Sequence, residues 1–242
     1  MNLCIDRGNS STKVGIFIQS SLIESFNLEL FGKRELTSIL NKYQIDCCIL
    51  SSVISFNDSL ATELKRKIQK VIELSDKTII PIKNSYLTPE TLGKDRLAGV
   101  VGAAYLKPGN DILVIDAGTA ITYDFIDSYQ NYWGGNIAPG LSMRLRSLHE
   151  FTKLLPIVVP KIESPFLGNN TESAILSGAL YGIAFEIDGY IETLRIKYPQ
   201  LSTFLTGGST FYFDTKLKNA IFAERNLVLI GLNRILLYNV QK

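Results

Sequence analysis

Apolar positions along the chain follow two rhythms, short continuous runs and runs spaced three and four residues apart. Leu3-Cys4-Ile5 and Leu113-Val114-Ile115 are continuous, and each closes on Asp-x-Gly. A second apolar run follows each, Val14–Ile18 in one case and Phe125–Ile126 in the other. Runs of this length bounded by glycine predict a buried strand, a tight turn and a returning strand. Arg34–Lys42 sets Leu36, Ile39, Leu40 and then Tyr43 at helical spacing, and Cys47–Val53 reads as a buried strand ending in Ser51-Ser52. Asn57, Asp58 and Ser59 offer N-caps for a helix whose apolar face is Leu60, Leu64, Ile68, Val71 and Ile72. Thr78–Ile82 predicts a strand, Asn84–Gly93 a loop, and Asp95–Leu106 a helix rich in Ala and Gly.

The second half continues the alternation. Trp133–Leu141 reads as a glycine-rich turn leading into a helix from about Ser142. Asn170–Tyr198 predicts a long helix, and Thr203–Leu205 a strand running into Thr206-Gly207-Gly208-Ser209. Strands alternating with helices imply a three-layer α/β protein.

The two Asp-x-Gly segments are also repeats of one another. Residues 3–13 and 113–123 place Asp6 with Asp116, Gly8 with Gly118 and Thr12 with Thr122, an offset of 110 in a chain of 242. The economical architecture is two similar α/β domains, residues 1–110 and 111–242, facing each other across a cleft.

Composition narrows the classes of function. With 46% hydrophobic and 20% charged residues the chain is not a disordered polymer. Twenty-five basic residues against 23 acidic ones leave a net charge of +2, too little for a broad nucleic-acid-binding field. Lys65, Arg66, Lys67 and Lys70 read as a solvated helix face. The single histidine, His149, rules out a multi-histidine metal site within one chain. Cys4, Cys47 and Cys48 form no CxxC pair and read as small buried hydrophobes, which suits a reducing, cytoplasmic setting. Asp6 and Arg7 interrupt the first apolar run, so no leader is expected. No membrane span is expected either, because the longest apolar candidate, Leu97–Leu106, stops at Lys107.

Three motifs can carry chemistry. A strand ending in Asp-x-Gly suits a nucleotide phosphate: the glycine brings backbone N–H groups close, and Lys13 adds a point charge. The aspartate would repel phosphate, so its fitting task is to hold Mg²⁺ directly or through water. Neither segment is a Walker A loop or a GxGxxG fingerprint. Thr206-Gly207-Gly208 reads either as a helix-entry turn or as bare backbone on which an adenine or ribose can lie. Gly93-Lys94-Asp95-Arg96 reads as a surface ion pair or, in a cleft, as a proton acceptor beside a carboxylate-binding guanidinium.

Together Asp6–Lys13, Gly93–Arg96, Asp116–Ala120, Gly134–Gly140 and Thr206–Gly208 resemble, in order and spacing, the type III pantothenate kinases. The likeness covers essentially the whole chain. It implies the duplicated ribonuclease H-like fold of actin-like ATPases and sugar kinases, and ATP-dependent phosphorylation of the terminal hydroxyl of pantothenate, the first step towards coenzyme A. Carried over, Asp6, Arg7, Gly8, Asn9, Ser10, Ser11, Thr12 and Lys13 become the first phosphate loop, with Asp6 serving Mg²⁺. Thr119 becomes an ATP contact, and Gly207 and Gly208 complete the ATP site. Asp95 becomes the general base, and Tyr86, Gly93, Lys94 and Arg96 join it in the pantothenate site, with Arg96 suited to the carboxylate. Asp116 becomes the ligand of a monovalent cation, potassium or ammonium, and Thr171 a further substrate contact in a family that builds its site at a homodimer interface. The small-residue stretches Ala98–Ala104 and Gly178–Ala184 suit either dimer surfaces or packing within the chain. Ser10 stands where Thr is common, Arg7 is bulkier than expected, and Asn219–Asn226 matches no part of the pattern. The alternatives are another small-molecule kinase of the sugar-kinase type, a regulatory relative, and an actin-like assembly protein. No nucleic-acid or membrane partner is expected.

Overall fold

The structure is a computed structural model, and it describes residues 1–8, 11–52, 58–213 and 215–240. The chain divides into two compact units. Unit 1 comprises Met1–Gly109, Tyr129–Trp133 and Asn226–Lys242; unit 2 comprises Asn110–Ser128 and Gly134–Arg225.

Unit 1 opens with strands β1 (Asn2–Arg7), β2 (Thr12–Ile18) and β3 (Ser21–Leu28). Helix α1 (Lys33–Lys42), strand β4 (Cys47–Ser52), helix α2 (Asp58–Lys67) and strand β5 (Lys70–Glu73) follow. The short strand β6 (Lys83–Asn84) and helix α3 (Lys94–Leu106) close this part. The sheet order is β3-β2-β1-β4-β5, with β1 antiparallel to β2 and parallel to β4. Alternation along the strands makes two cores. Leu3, Ile5, Val14, Ile16 and Leu50 pack with α1 and α2, while Cys4, Phe17 and Ile49 pack on the other face with α3 and the C-terminal helix. Three layers result.

Unit 2 repeats the strands but not the placing of the helices, since both of its own helices precede the fourth strand. Strands β7 (Ile112–Ala117), β8 (Ala120–Ile126) and β9 (Asn131–Pro139) precede helices α4 (Leu141–Glu150) and α5 (Thr171–Lys197). Strands β10 (Ser202–Thr206) and β11 (Phe222–Ala223) follow, and helix α6 (Leu227–Val240) ends the chain. The second sheet has six strands, β6-β9-β8-β7-β10-β11, and without the edge strand β6 its order matches the first, with β7 antiparallel to β8 and parallel to β10. Leu113, Ile115, Tyr123 and Leu205 form one core with α4 and α5. The first residues of β9 belong to unit 1, where Asn131 and Tyr132 pair in parallel with Lys83 and Asn84.

Several local expectations change. Val71 and Ile72 leave the α2 face and enter β5, because Val71 pairs with Cys48 and Ile72 with Ile49. Thr78–Ile82 is no strand: Thr78 instead closes a turn, accepting at its hydroxyl from the Ser75 N–H at 3.0 Å. Gly134 and Gly135 lie within β9, not in a turn, and a Cβ on Gly135 would overlap the carbonyl of Tyr123. Asn57 and Val53 fall outside the described residues. The segment with no counterpart in the motif pattern supplies β11, with Phe222 beside Phe204. Asn219 in that segment donates through its backbone N–H (3.1 Å) and its side chain (2.8 Å) to the buried carboxylate of Asp188.

The residues after Asn226 depart from a single break near residue 110. Helix α6 packs on α3 in unit 1, with a glycine of each helix where the other's backbone comes closest. A Cβ on Gly102 would overlap the carbonyl of Leu227, and one on Gly231 that of Ala98. This close approach also settles Ala98–Ala104 as intrachain packing, since α3 is buried from Arg96 to Ala104. Helix α5 corrects the membrane expectation in part. Its 27 residues are long and apolar enough to span a bilayer, although 56% of its most apolar window is buried in the protein.

Candidate active site

In unit 1 the site begins where β1 ends. Leu3, Cys4 and Ile5 are fully buried, which fixes the strand and leaves Asp6 half-buried at the carboxyl end of the sheet. Across the hairpin Asp6 stands opposite Lys13, and on its other side it is in register with Ser51 of β4. Residues in register share a face, so Ser51, Asp6 and Lys13 form one row. By parity with Cys4 and Ile49 that face is the one covered by α3. Arg7 pairs with Thr12 and Ser52 and so faces the other way, off the Asp6 row. The Gly8 N–H donates to the Ser11 carbonyl at 3.0 Å and closes the turn. Asn9 and Ser10 lie outside the described residues.

Helix α3 starts on Gly93, which puts Asp95 in its first turn, where the helix dipole favours a carboxylate. Asp95 accepts from the Arg96 N–H at 2.8 Å and remains half-buried. Gly93 leaves room for it, because a Cβ there would stand 2.6 Å from Asp95 Oδ1. The Arg96 side chain is buried, and its guanidinium carbon lies 5.6 Å from the centre of the Tyr86 ring. Tyr86 in turn stacks on Tyr132, with centroids 6.2 Å apart and planes 11° apart. Tyr132 was absent from the sequence expectation. It arrives through the pairing of β6 with β9, and the Asn84 side chain fixes Tyr86 by accepting its N–H at 3.0 Å. The only sequence signal was its place just before Trp133-Gly134-Gly135. Lys94 instead lines a cavity of about 580 Å³ with Asn84, Glu90 and Leu97, a cavity that Asp95 and Arg96 do not line.

In unit 2 Asp116 occupies the equivalent strand end, half-buried, in register with Thr122 of β8 and Thr206 of β10. Three glycine segments converge on its turn. The Gly118 N–H donates to the Ala120 carbonyl (3.1 Å) and the Gly140 N–H to the Thr119 carbonyl (3.1 Å). A Cβ on Gly140 would overlap the carbonyls of Gly118 and Thr119, so only glycine fits. Gly207, at φ +102°, lies against Asp116 and Ala117. Gly208 meets nothing within 4 Å on its open side, and Thr119 is exposed. The structure therefore brings Asp116, Thr119, Gly207 and Gly208 together. Thr171 stands elsewhere in unit 2, at the start of α5, exposed beside Gly168 and Asn170 in a shallow depression that neither Thr119 nor Gly207 lines.

The repeat is imperfect in one respect. Four residues separate Arg7 from Thr12, but three separate Ala117 from Ile121. The extra residue shifts the returning strand by one position and turns every side chain over. Thr12 therefore faces away from Asp6 and is buried, whereas Thr122 shares the face of Asp116. Lys13, not Thr12, occupies the place of Thr122.

Among the described residues no three His, Cys, Asp or Glu side chains gather to hold a metal by themselves. Each row offers one carboxylate with a hydroxyl neighbour. That hard-oxygen set fits Mg²⁺ or an alkali cation completed by ligand oxygens, and does not fit zinc.

Two sheets with one strand order, each with an aspartate closing its first strand, define the actin-like ATPase and sugar-kinase fold. Solved structures share it. A Campylobacter jejuni chain assigned to the Baf family of transcriptional activators aligns over 99% of this chain and 100% of its own, with a TM-score of 0.59 and 23% identity. A Sinorhizobium meliloti chain assigned as a 2-dehydro-3-deoxygalactonokinase aligns over 100% of both, with a TM-score of 0.57 and 14% identity. Within that class, the profile of the type III pantothenate kinase family matches residues 2–193. The type III pantothenate kinase of Phocaeicola vulgatus is 51% identical over 239 residues, covering 99% of each chain. The chain belongs to the type III pantothenate kinase family.

Proposed function

We propose that this chain transfers the γ-phosphoryl group of ATP to the terminal hydroxyl of pantothenate, giving 4'-phosphopantothenate and ADP at the start of coenzyme A synthesis. The observation that carries this reading is the family match along the chain, together with a helix α3, headed by Asp95 and Arg96, whose body packs on the sheet face of Asp6 and Lys13. Phosphoryl transfer asks a protein chiefly for positioning and charge neutralisation. Asp95 accepts the proton of the attacking hydroxyl as the new O–P bond forms. Arg96, whose guanidinium lies over the Tyr86 ring, receives the pantothenate carboxylate, and Tyr132 keeps Tyr86 in place. Lys13 and the loop Asp6–Lys13 that carries it serve the polyphosphate, and Thr119, Gly207 and Gly208 are the further ATP contacts. Asp6 would hold Mg²⁺ and Asp116 a potassium or ammonium ion, each supplying positive charge to offset the phosphates.

The working form is a homodimer, and Thr171 of one copy serves the substrate site of the other. Support comes from exposed apolar side chains: Phe185 of α5 and Phe166 lie open with their rings 6.3 Å apart, and Phe151, Leu154 and Leu167 are open as well. Beside them Gly178 of α5 meets nothing within 4 Å. Exposed apolar side chains such as these suit burial against a second copy. The setting is the cytoplasm, where ATP and reduced thiols coexist. Incubating the purified chain with ATP, Mg²⁺, potassium and pantothenate should give phosphopantothenate by mass spectrometry. Absence of product, with phosphate appearing instead on a sugar acceptor, would refute the assignment.

A further inference from the structure

Three buried hydroxyls have no hydrogen-bond partner among the described residues: those of Ser51, Thr203 and Thr206. Buried polar groups are paired in the great majority of cases, so an orphan demands a reason. Two of the three occupy one place in the two repeats. Ser51 is the β4 residue in register with Asp6, and Thr206 is the β10 residue in register with Asp116. Both are fully buried, and both point to the face of their aspartate. Thr203 differs, since it lies on the opposite face of β10 and its counterpart in β4 is Cys48.

A carboxylate that ligates a cation through one oxygen turns the other towards its surroundings, and a neighbouring donor then fixes its direction. Asp6 and Asp116 each have such a donor at hand in the adjoining strand, closed off from water and uncommitted. We propose that Ser51 and Thr206 are positioning residues. Each donates its hydroxyl proton to the aspartate beside it when that aspartate takes its cation, Ser51 to Asp6 and Thr206 to Asp116. The inference rests on the reading of the two aspartates as cation ligands. It also explains why unpaired hydroxyls sit where a methyl group would fit: the cost is carried by the ligand-free protein and recovered on binding.

The test uses the full chain with Ser51→Ala, Ser51→Thr, Thr206→Val and Thr206→Ser. Three quantities are read: the melting temperature without ligands, the Mg²⁺ midpoint for ATP-dependent thermal stabilisation, and the potassium midpoint for kinase rate. Ser51→Ala should raise the Mg²⁺ midpoint about tenfold or more and leave the potassium midpoint alone, and Thr206→Val should do the reverse. Ser51→Thr and Thr206→Ser should restore wild-type midpoints. Ligand-free melting temperatures should stay level or rise, because an unpaired hydroxyl has been removed. Unchanged midpoints in Ser51→Ala and Thr206→Val would overturn the positioning role alone. A steep fall in ligand-free stability would also overturn it, by showing that the hydroxyls are already satisfied. A wild-type chain indifferent to both cations would overturn the reading of Asp6 and Asp116, and this inference with it.

Discussion

The backbone of Gly207 lies against the carboxylate of Asp116. A Cβ at position 207 would stand 2.5 Å from Asp116 Oδ1 and 2.6 Å from the carbonyl of Ala117, at a φ of +102°. Both the space and the backbone angle exclude an L side chain. Gly207→Ala should therefore cost about 1–3 kcal/mol of stability. It should also raise KM for ATP more than it lowers kcat, because the displaced groups belong to the Asp116 turn. Thermal melts and steady-state kinetics on one preparation would check both. A variant with wild-type KM for ATP would detach Gly207 from the nucleotide site.

Asp95→Asn keeps the size of the side chain and its bond to the Arg96 N–H but cannot take a proton. Turnover should fall by about two to four orders of magnitude, the range for a lost acid–base group. ATP binding, followed by calorimetry, should persist. Turnover within a few-fold of wild type would remove Asp95 from its role as base.

Arg96 is buried over Tyr86, so truncation has both a local and a ligand effect, and a substrate analogue separates them. Pantothenol carries an alcohol in place of the pantothenate carboxylate. The wild-type chain should discriminate strongly against it, while Arg96→Ala should raise KM for pantothenate at least tenfold and lose most of that discrimination. If both proteins prefer pantothenate by the same factor, Arg96 does not read the carboxylate.

Tyr123 gives a pH signature in unit 2. Its hydroxyl donates to Glu186 at 2.8 Å, and Glu186 also accepts from Arg144 at 2.5 Å. Burial first, and Glu186 second, push the phenol well above its ordinary range. The folded chain thus holds this proton at a pH where the unfolded chain releases it. Its contribution is complete below the unfolded value near 10 and is lost as pH rises beyond it. Denaturant melts from about pH 9 to 11.5 should show a shallower alkaline decline in Tyr123→Phe than in wild type. Parallel declines would remove Tyr123 as a source.

The thiols offer a simpler check on the core. Cys4 and Cys48 are fully buried, and burial raises both thiols, whereas Cys47 is half-buried. Native protein at pH 8 should react rapidly with a thiol reagent at Cys47 alone, and at all three cysteines once unfolded. Rapid native labelling of Cys4 would show that β1 is not packed as described.

Much of this was legible from residue order. The runs Leu3–Ile5 and Leu113–Ile115, the Asp-x-Gly closures and the 110-residue offset announced two related sheets, because buried strands require continuous apolar stretches and tight turns require glycine. Gly93–Arg96 announced a helix entry with a carboxylate in its first turn, and α3 begins there. Val71 and Ile72 misled because a helical face and a strand face coincide over two residues. Only the partner, Cys48 for Val71 and Ile49 for Ile72, decides between them.

What the sequence determined by itself was local: which residues end strands, which glycines allow close backbone approach, and which family pattern they compose. The tertiary structure decided everything that depends on register and on distant partners. It placed Lys13 rather than Thr12 opposite Asp6, since one extra turn residue inverts a strand whose side chains alternate with period two. It carried Tyr132 to Tyr86 through a strand pairing of only two residues, and α6 back to unit 1 through two glycines that let helices touch. It also set Ser51 and Thr206 beside the two aspartates, a relation between neighbouring strands that no spacing along the chain encodes.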